Sequence, residues 1–189
     1  FHVGSLSLTD DPSRTATYEA INIARNSGAV ISYDPNYRAA LWSDPETAQL
    51  RMQSLIPYVD MMKISDEETS LLTPYQDPEE AIQYLLRQGV HLVAVTLGRD
   101  GALIGNENGI VKAEGFSSHA VDTTGAGDSF WGGFLASYLQ EETSPEHLTR
   151  AQMIQFGRVG NAVASLCVER RGGISAIPEM EEIEERLRG

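Results

Sequence analysis

The run Val121-Asp122-Thr123-Thr124-Gly125-Ala126-Gly127-Asp128-Ser129-Phe130 sets three of the smallest residues beside two carboxylates and two threonines. Small residues let backbone N–H groups approach an anion closely. A helix starting there would add unpaired N–H donors and partial positive charge. A carboxylate at the edge of such a cradle is placed to take a proton. Together these parts suit phosphoryl transfer to a hydroxyl group. The run is not a Walker A loop, because no Gly-Lys-Ser/Thr follows. Phe130 occupies the place of the third glycine of the dinucleotide fingerprint, so a nicotinamide oxidoreductase is a weak rival.

Positioning these groups requires a scaffold, and the pattern predicts one of alternating strands and helices. Residues 1–8 read as a strand, and Asp11-Pro12 opens a helix that ends before Gly28. Residues 29–33 read as a strand stopped by Asp34-Pro35-Asn36. Ser43-Asp44-Pro45-Glu46 has capping-box spacing and opens a helix to about residue 56. A strand at 61–64 runs into an acidic helix start at Asp66-Glu67-Glu68, and Asp77-Pro78 opens a helix closed by Gly89. Residues 91–96 read as a buried parallel strand. Turns at 98–101 and 106–109 bracket a hairpin. Helices are expected at 126–139, from Ser144-Pro145 to 168, and from Pro178 after a break at Gly172-Gly173. This alternation predicts an α/β fold, a three-layer, doubly wound, mostly parallel sheet with helices on both faces, as one domain over 1–189.

Composition narrows the partners. The 189 residues are enough for a sizeable core, and 41% are hydrophobic. A net charge of −13 argues against a broad nucleic-acid surface, but a phosphate pocket needs only local donors. No apolar run suits a membrane span. Cys167 is the only cysteine, which excludes an intrachain disulfide and a zinc signature and reads as a buried small apolar residue. The cytoplasm is the default compartment. The chain begins with Phe rather than Met and enters at once on a strand, which reads as a portion of a longer protein.

Residues 122–130 resemble the second signature of the ribokinase-like (PfkB-type) carbohydrate kinases. The resemblance implies Asp128 as the catalytic base toward the acceptor hydroxyl, and Gly125, Ala126 and Gly127 as the anion hole for the transferred phosphoryl group. Asp34-Pro35-Asn36-Tyr37-Arg38, followed by Ala39-Ala40-Leu41-Trp42, is similar to the sugar-side segment of fructokinases and 2-keto-3-deoxygluconate kinases. There the forked donors of Arg38 would hold a sugar hydroxyl, a carboxylate or a phosphate oxygen. Lys63-Ile64-Ser65-Asp66-Glu67-Glu68 stands in the place of the family's Asn-x-x-Glu motif. Glu68 matches the glutamate that helps organise magnesium and phosphate through water, and Ser65 replaces the asparagine.

Thr96-Leu97-Gly98-Arg99-Asp100-Gly101 resembles the nucleotide-side turn, with Thr96 and Gly98 toward phosphate or ribose and Gly101 turning the chain back. Asn161 matches a position near the adenine ring. The resemblance also implies a potassium site, with Asp122 and the Thr124 carbonyl on one side and the carbonyls of Arg170 and Gly172 on the other. Ala176 departs from relatives that carry a hydroxyl there.

The resemblance runs from residue 1 to about 178 but covers only a C-terminal portion of a family member. It implies an ATP- and Mg2+-dependent sugar kinase, most like a fructokinase, whose intact form is a homo-oligomer with sugar and ATP as partners, no nucleic acid and no membrane. A 2-keto-3-deoxygluconate kinase, another ribokinase-like kinase and a truncated, non-catalytic nucleotide-binding module stand as alternatives.

Overall fold

The computed structural model describes residues 1–189, which pack as two compact units, Phe1–Val95 and Thr96–Gly189. The first unit carries strands β1 (His2–Gly4), β2 (Ser32–Asp34), β3 (Met61–Ser65) and β4 (Leu92–Thr96), side by side in chain order. Between them lie helices α1 (Ser13–Asn26), α2 (Pro45–Gln53), α3 (Thr69–Leu72) and α4 (Pro78–Arg87). The β1–β2 and β2–β3 pairs are parallel, with His2 opposite Ser32 and Ser32 opposite Met61. Parallel neighbours need crossover connections, and the helices supply them. The first four residues of β3 and of β4 are buried, as expected of strands covered on both faces.

Several expected boundaries moved, each for a local reason. The first strand stops at Gly4 because Ser5 turns away: its N–H donates to the Pro35 carbonyl at 3.3 Å, and its hydroxyl donates to the same oxygen. A 3-10 turn at Leu6–Leu8 follows. Strand β2 starts at Ser32 rather than 29 and includes Asp34, whose carboxylate pairs across to β3. Asp44, not Ser43, caps α2, accepting from the Thr47 N–H at 2.7 Å. That helix ends at Gln53, and residues up to Tyr58 form a separate 3-10 turn. Asp77 caps α4 as its sequence suggests.

The second unit opens with the antiparallel hairpin β5 (Ala102–Asn106) and β6 (Gly109–Ala113). Helices α5 (Ala126–Tyr138), α6 (Arg150–Cys167) and α7 (Met180–Arg188) follow. The helix expected to start at Ser144 begins instead at Arg150, after a 3-10 turn over Pro145–His147. The buried Asn106 amide explains the delay, since it donates to the carbonyls of Pro145, Glu146 and Leu148 at 3.1, 3.1 and 2.8 Å. Thr149 then caps α6 in a reciprocal box with Gln152. The last helix starts at Met180, two residues beyond Pro178.

Helices α5 and α6 meet through glycines. A Cβ on Gly160 would lie 2.6 Å from the Phe130 carbonyl oxygen, and one on Gly133 would lie 2.9 Å from Val163. This close approach lets Phe134 pack against Trp131 and Phe156. Gly160→Ala should therefore destabilise the protein by about 1–3 kcal/mol through overpacking. Gly132→Ala, at an exposed helical site with open space beside it, should be neutral or stabilise by up to about 1 kcal/mol. Urea midpoints of the two variants check both.

Candidate active site

In the first unit, the turn after β2 is held at three points. Asp34 forms a buried ion pair with Lys63 of β3 at 3.0 Å, both side chains being about 5% exposed. Its other oxygen accepts the Asn36 N–H at 3.0 Å, closing an Asx turn in which Asn36 adopts a φ of 48°. The Pro35 carbonyl is taken by Ser5. Tyr37 donates its N–H to Glu68 Oε1 at 2.8 Å.

Glu68 is buried in the 3-10 turn that follows β3. Its Oε2 accepts both the N–H and the hydroxyl of Ser65, at 2.8 and 3.0 Å. Ser65 thus has a defined task, holding one oxygen of this buried carboxylate. Arg38 stands exposed beyond the turn, with Nη1 on the Tyr37 carbonyl at 3.0 Å. Behind the turn, burial and the nearby carboxylates of Glu68 and Asp34 push the Tyr33 hydroxyl well above the usual tyrosine range.

In the second unit, the glycine-rich run is drawn together with the loop after α6. Asp122 is the link: Oδ1 accepts the Thr124 N–H at 2.9 Å, and Oδ2 accepts the Gly172 N–H at 3.0 Å. Val121 and Asp122 donate their N–H groups to the Val168 carbonyl at 2.7 and 3.1 Å. Gly125, with a φ of 79°, is the residue that turns the chain into α5. A Cβ there would sit 3.2 Å from the Gly173 Cα, a tight contact added to a left-handed backbone that already favours glycine. Ala126, Gly127 and Asp128 form the first turn of α5, and Asp128 is exposed. First-turn N–H groups lack intrahelical acceptors, which makes this an anion-accepting end.

The remaining expected residues are also in this unit. Thr96 ends β4, and the Leu97 N–H donates to the Gly101 carbonyl at 2.8 Å across a turn in which Gly98 has a φ of 56°. Gly101 is required sterically, because a Cβ would fall 2.6 Å from the Gly115 nitrogen. Asn161 is buried and its amide donates to the Ala113 and Glu114 carbonyls at 2.9 and 3.0 Å, fixing the chain as it leaves β6. The Arg170 guanidinium makes a two-pronged pair with Glu182 of α7. Gly172 meets Asp122 through its N–H, on the other side of the residue from the carbonyl singled out by sequence.

Sequence reading passed over Lys63 as an individual residue. The signal was present: one cation inside the buried apolar run Met-Met-Lys-Ile demands a buried counter-charge. No group of three or more His, Cys, Asp or Glu is gathered into a metal-ligating cluster. A divalent ion here would therefore be held mainly by nucleotide phosphates and water, which magnesium tolerates.

A chain of parallel neighbouring strands, with a glycine loop opening a helix whose first turn bears a carboxylate, has the parts of a phosphotransferase. Comparison with known proteins makes that specific: the chain belongs to the pfkB family of carbohydrate kinases, whose family model matches residues 1–180. It is 36% identical over 191 residues to the Arabidopsis thaliana protein named Probable fructokinase-4, covering all of this chain and 58% of that protein. The fold matches fructokinase from Vibrio cholerae O395, solved in a fructose, ADP and calcium ion bound form. That match has a TM-score of 0.90 at 32% identity and covers 98% of this chain and 59% of the other. A double mutant of the Vibrio enzyme was solved with fructose, ADP and potassium. Aminoimidazole riboside kinase from Salmonella enterica, complexed with aminoimidazole riboside and an ATP analog, matches with a TM-score of 0.88 at 26% identity, over all of this chain and 62% of that one. The fold is thus the ribokinase-like α/β fold, and the chain spans under two thirds of these relatives.

Two outcomes test this geometry. The Gly172 N–H above all, then the hydroxyl and N–H of Thr124 and the nearby Arg171, hold the Asp122 carboxyl down to about 2. A carboxylate depressed in the folded state stabilises above its unfolded value of about 4 and loses that contribution as pH falls toward the folded value. The stability gap between the native protein and Asp122→Asn should therefore be full above about pH 5 and shrink between about pH 4 and 2, as read by urea unfolding across pH. Lys63→Met, which strands the Asp34 carboxylate without its ammonium, should cost about 3–5 kcal/mol in the same assay at pH 7.

Proposed function

We propose that this chain forms the nucleotide-binding and catalytic part of an ATP-dependent sugar kinase with fructose as acceptor. The observation that carries the proposal is the placement of Asp128 in the first turn of α5, directly after the left-handed Gly125 and the Asp122–Gly172 link. Asp128 takes the proton of a sugar hydroxyl as its oxygen forms a bond to the γ-phosphorus. The bond from that phosphorus to the bridging oxygen breaks in line, releasing ADP. The N–H groups of Gly125, Ala126 and Gly127 meet the charge on the transferred group without reorganising.

Thr96, Gly98, Gly101 and Asn161 form the nucleotide side, and Arg38 the sugar side. Magnesium would enter with the ATP phosphates, and Glu68 would act on it through water. Asp122 and the carbonyls of Thr124, Arg170 and Gly172 would hold a potassium ion, which would add positive charge near the anion hole. Fructose is favoured because fructokinases lead the relatives and the Vibrio neighbour was solved with that sugar. The riboside kinase match keeps another ribokinase-like acceptor, 2-keto-3-deoxygluconate among them, as the neighbouring reading. The intact enzyme is a homo-oligomer acting in the cytoplasm on small molecules rather than nucleic acid, and no helix is long and apolar enough to cross a membrane.

Asp128→Asn should lower ATP- and fructose-dependent ADP release by about two to four orders of magnitude and leave ATP binding nearly unchanged. Near-full turnover in that variant would remove Asp128 as the base. The neighbouring reading from another class is a nucleotide-binding module without turnover. Calorimetric titration separates the two: a kinase shows ATP and fructose strengthening each other's binding, and a bare nucleotide module shows ATP binding alone.

A further inference from the structure

Glu68 sits where the family resemblance expects a residue acting on magnesium, yet both its oxygens face the protein. Oε1 takes the Tyr37 N–H, Oε2 takes two donors from Ser65, and the residue is only 8% exposed. Five residues earlier, in the middle of β3, Lys63 takes Asp34. The two side chains thus grip both ends of the Asp34-Pro35-Asn36-Tyr37 turn. Ser5 holds its middle through the Pro35 carbonyl. Arg38 follows immediately, leaning on the Tyr37 carbonyl.

We infer that Glu68 and Lys63 are positioning residues that clamp this turn and thereby aim Arg38 at the acceptor sugar. The inference rests on the sugar-kinase reading for the identity of the acceptor, while the clamp itself stands on the hydrogen bonds alone. A turn containing a left-handed asparagine and an exposed arginine has many conformations of similar energy. Two buried charged anchors select one of them, so the ordering cost is met before the sugar arrives. Glu68 then acts on the acceptor side through Tyr37, whatever it does toward the nucleotide.

The test uses Glu68→Ala and Glu68→Gln, the second keeping an oxygen for the Tyr37 N–H. Amide exchange at Tyr37 should quicken by about tenfold or more in the alanine variant and recover most of its protection in the glutamine variant. Exchange in β4 should stay unchanged in both, which shows that the fold survives. Titrations should show fructose binding weakened by about tenfold in the alanine variant and largely restored in the glutamine variant. Unaltered Tyr37 exchange in Glu68→Ala overturns the clamp. Fructose binding unchanged in Glu68→Ala overturns its acceptor-side role. If the unaltered chain binds no fructose, the sugar reading fails, and Tyr37 exchange still decides the clamp.

Discussion

One carboxylate ties the second unit together at the point where chemistry is expected. Asp122 receives N–H groups from residues two and fifty positions away, Thr124 and Gly172. This bridge joins the Val121 and Asp122 N–H bonds to the Val168 carbonyl in fixing the glycine-rich loop, whose glycines bring freedom rather than rigidity. The bridge converts freedom into a single shape: Gly125 takes its left-handed turn within van der Waals reach of Gly173, and α5 starts from that turn. The same bonds keep Asp122 ionised far below neutral pH. A fixed negative charge therefore lies a few residues from an anion-accepting helix end.

The first unit solves a related problem with opposite means. Its critical turn holds a proline, an asparagine and an aromatic residue rather than glycines, and it is fixed by buried charge. An ion pair with both partners almost out of water is costly to assemble and contributes less to stability than to uniqueness of structure. Its position at the carboxyl ends of β2 and β3, where α/β sheets gather their ligands, fits such a purpose.

Features written in local chemistry were legible in the sequence. The Asn106-Glu107-Asn108-Gly109 turn declares a hairpin by itself, and the acidic N-cap of α4 declares a helix. The start of α5 was legible because small residues followed by a carboxylate have few other uses. What stayed hidden depends on partners remote in the chain. The start of α6 is set by an asparagine on β5, and the end of β2 by a lysine on β3. Asp122 and the loop at 170–172 could be paired from family likeness, but the atom that joins them, the Gly172 N–H rather than its carbonyl, could not. Glu68 likewise stood in a recognisable motif while its bonds to Tyr37 and Ser65 remained invisible.

The three carbonyls held by Asn106 carry an implication for how the chain reaches this state. A hairpin with a two-residue turn closes within microseconds and needs no distant contact. Helix α6, by contrast, has two plausible starting points, Pro145 and Thr149, and its own sequence does not choose decisively between them. The choice is made by an amide that is in place only once β5 has formed. The hairpin thus serves as a template that fixes the register of the longest helix. An early error in strand pairing would be carried forward into which face of α6 meets α5.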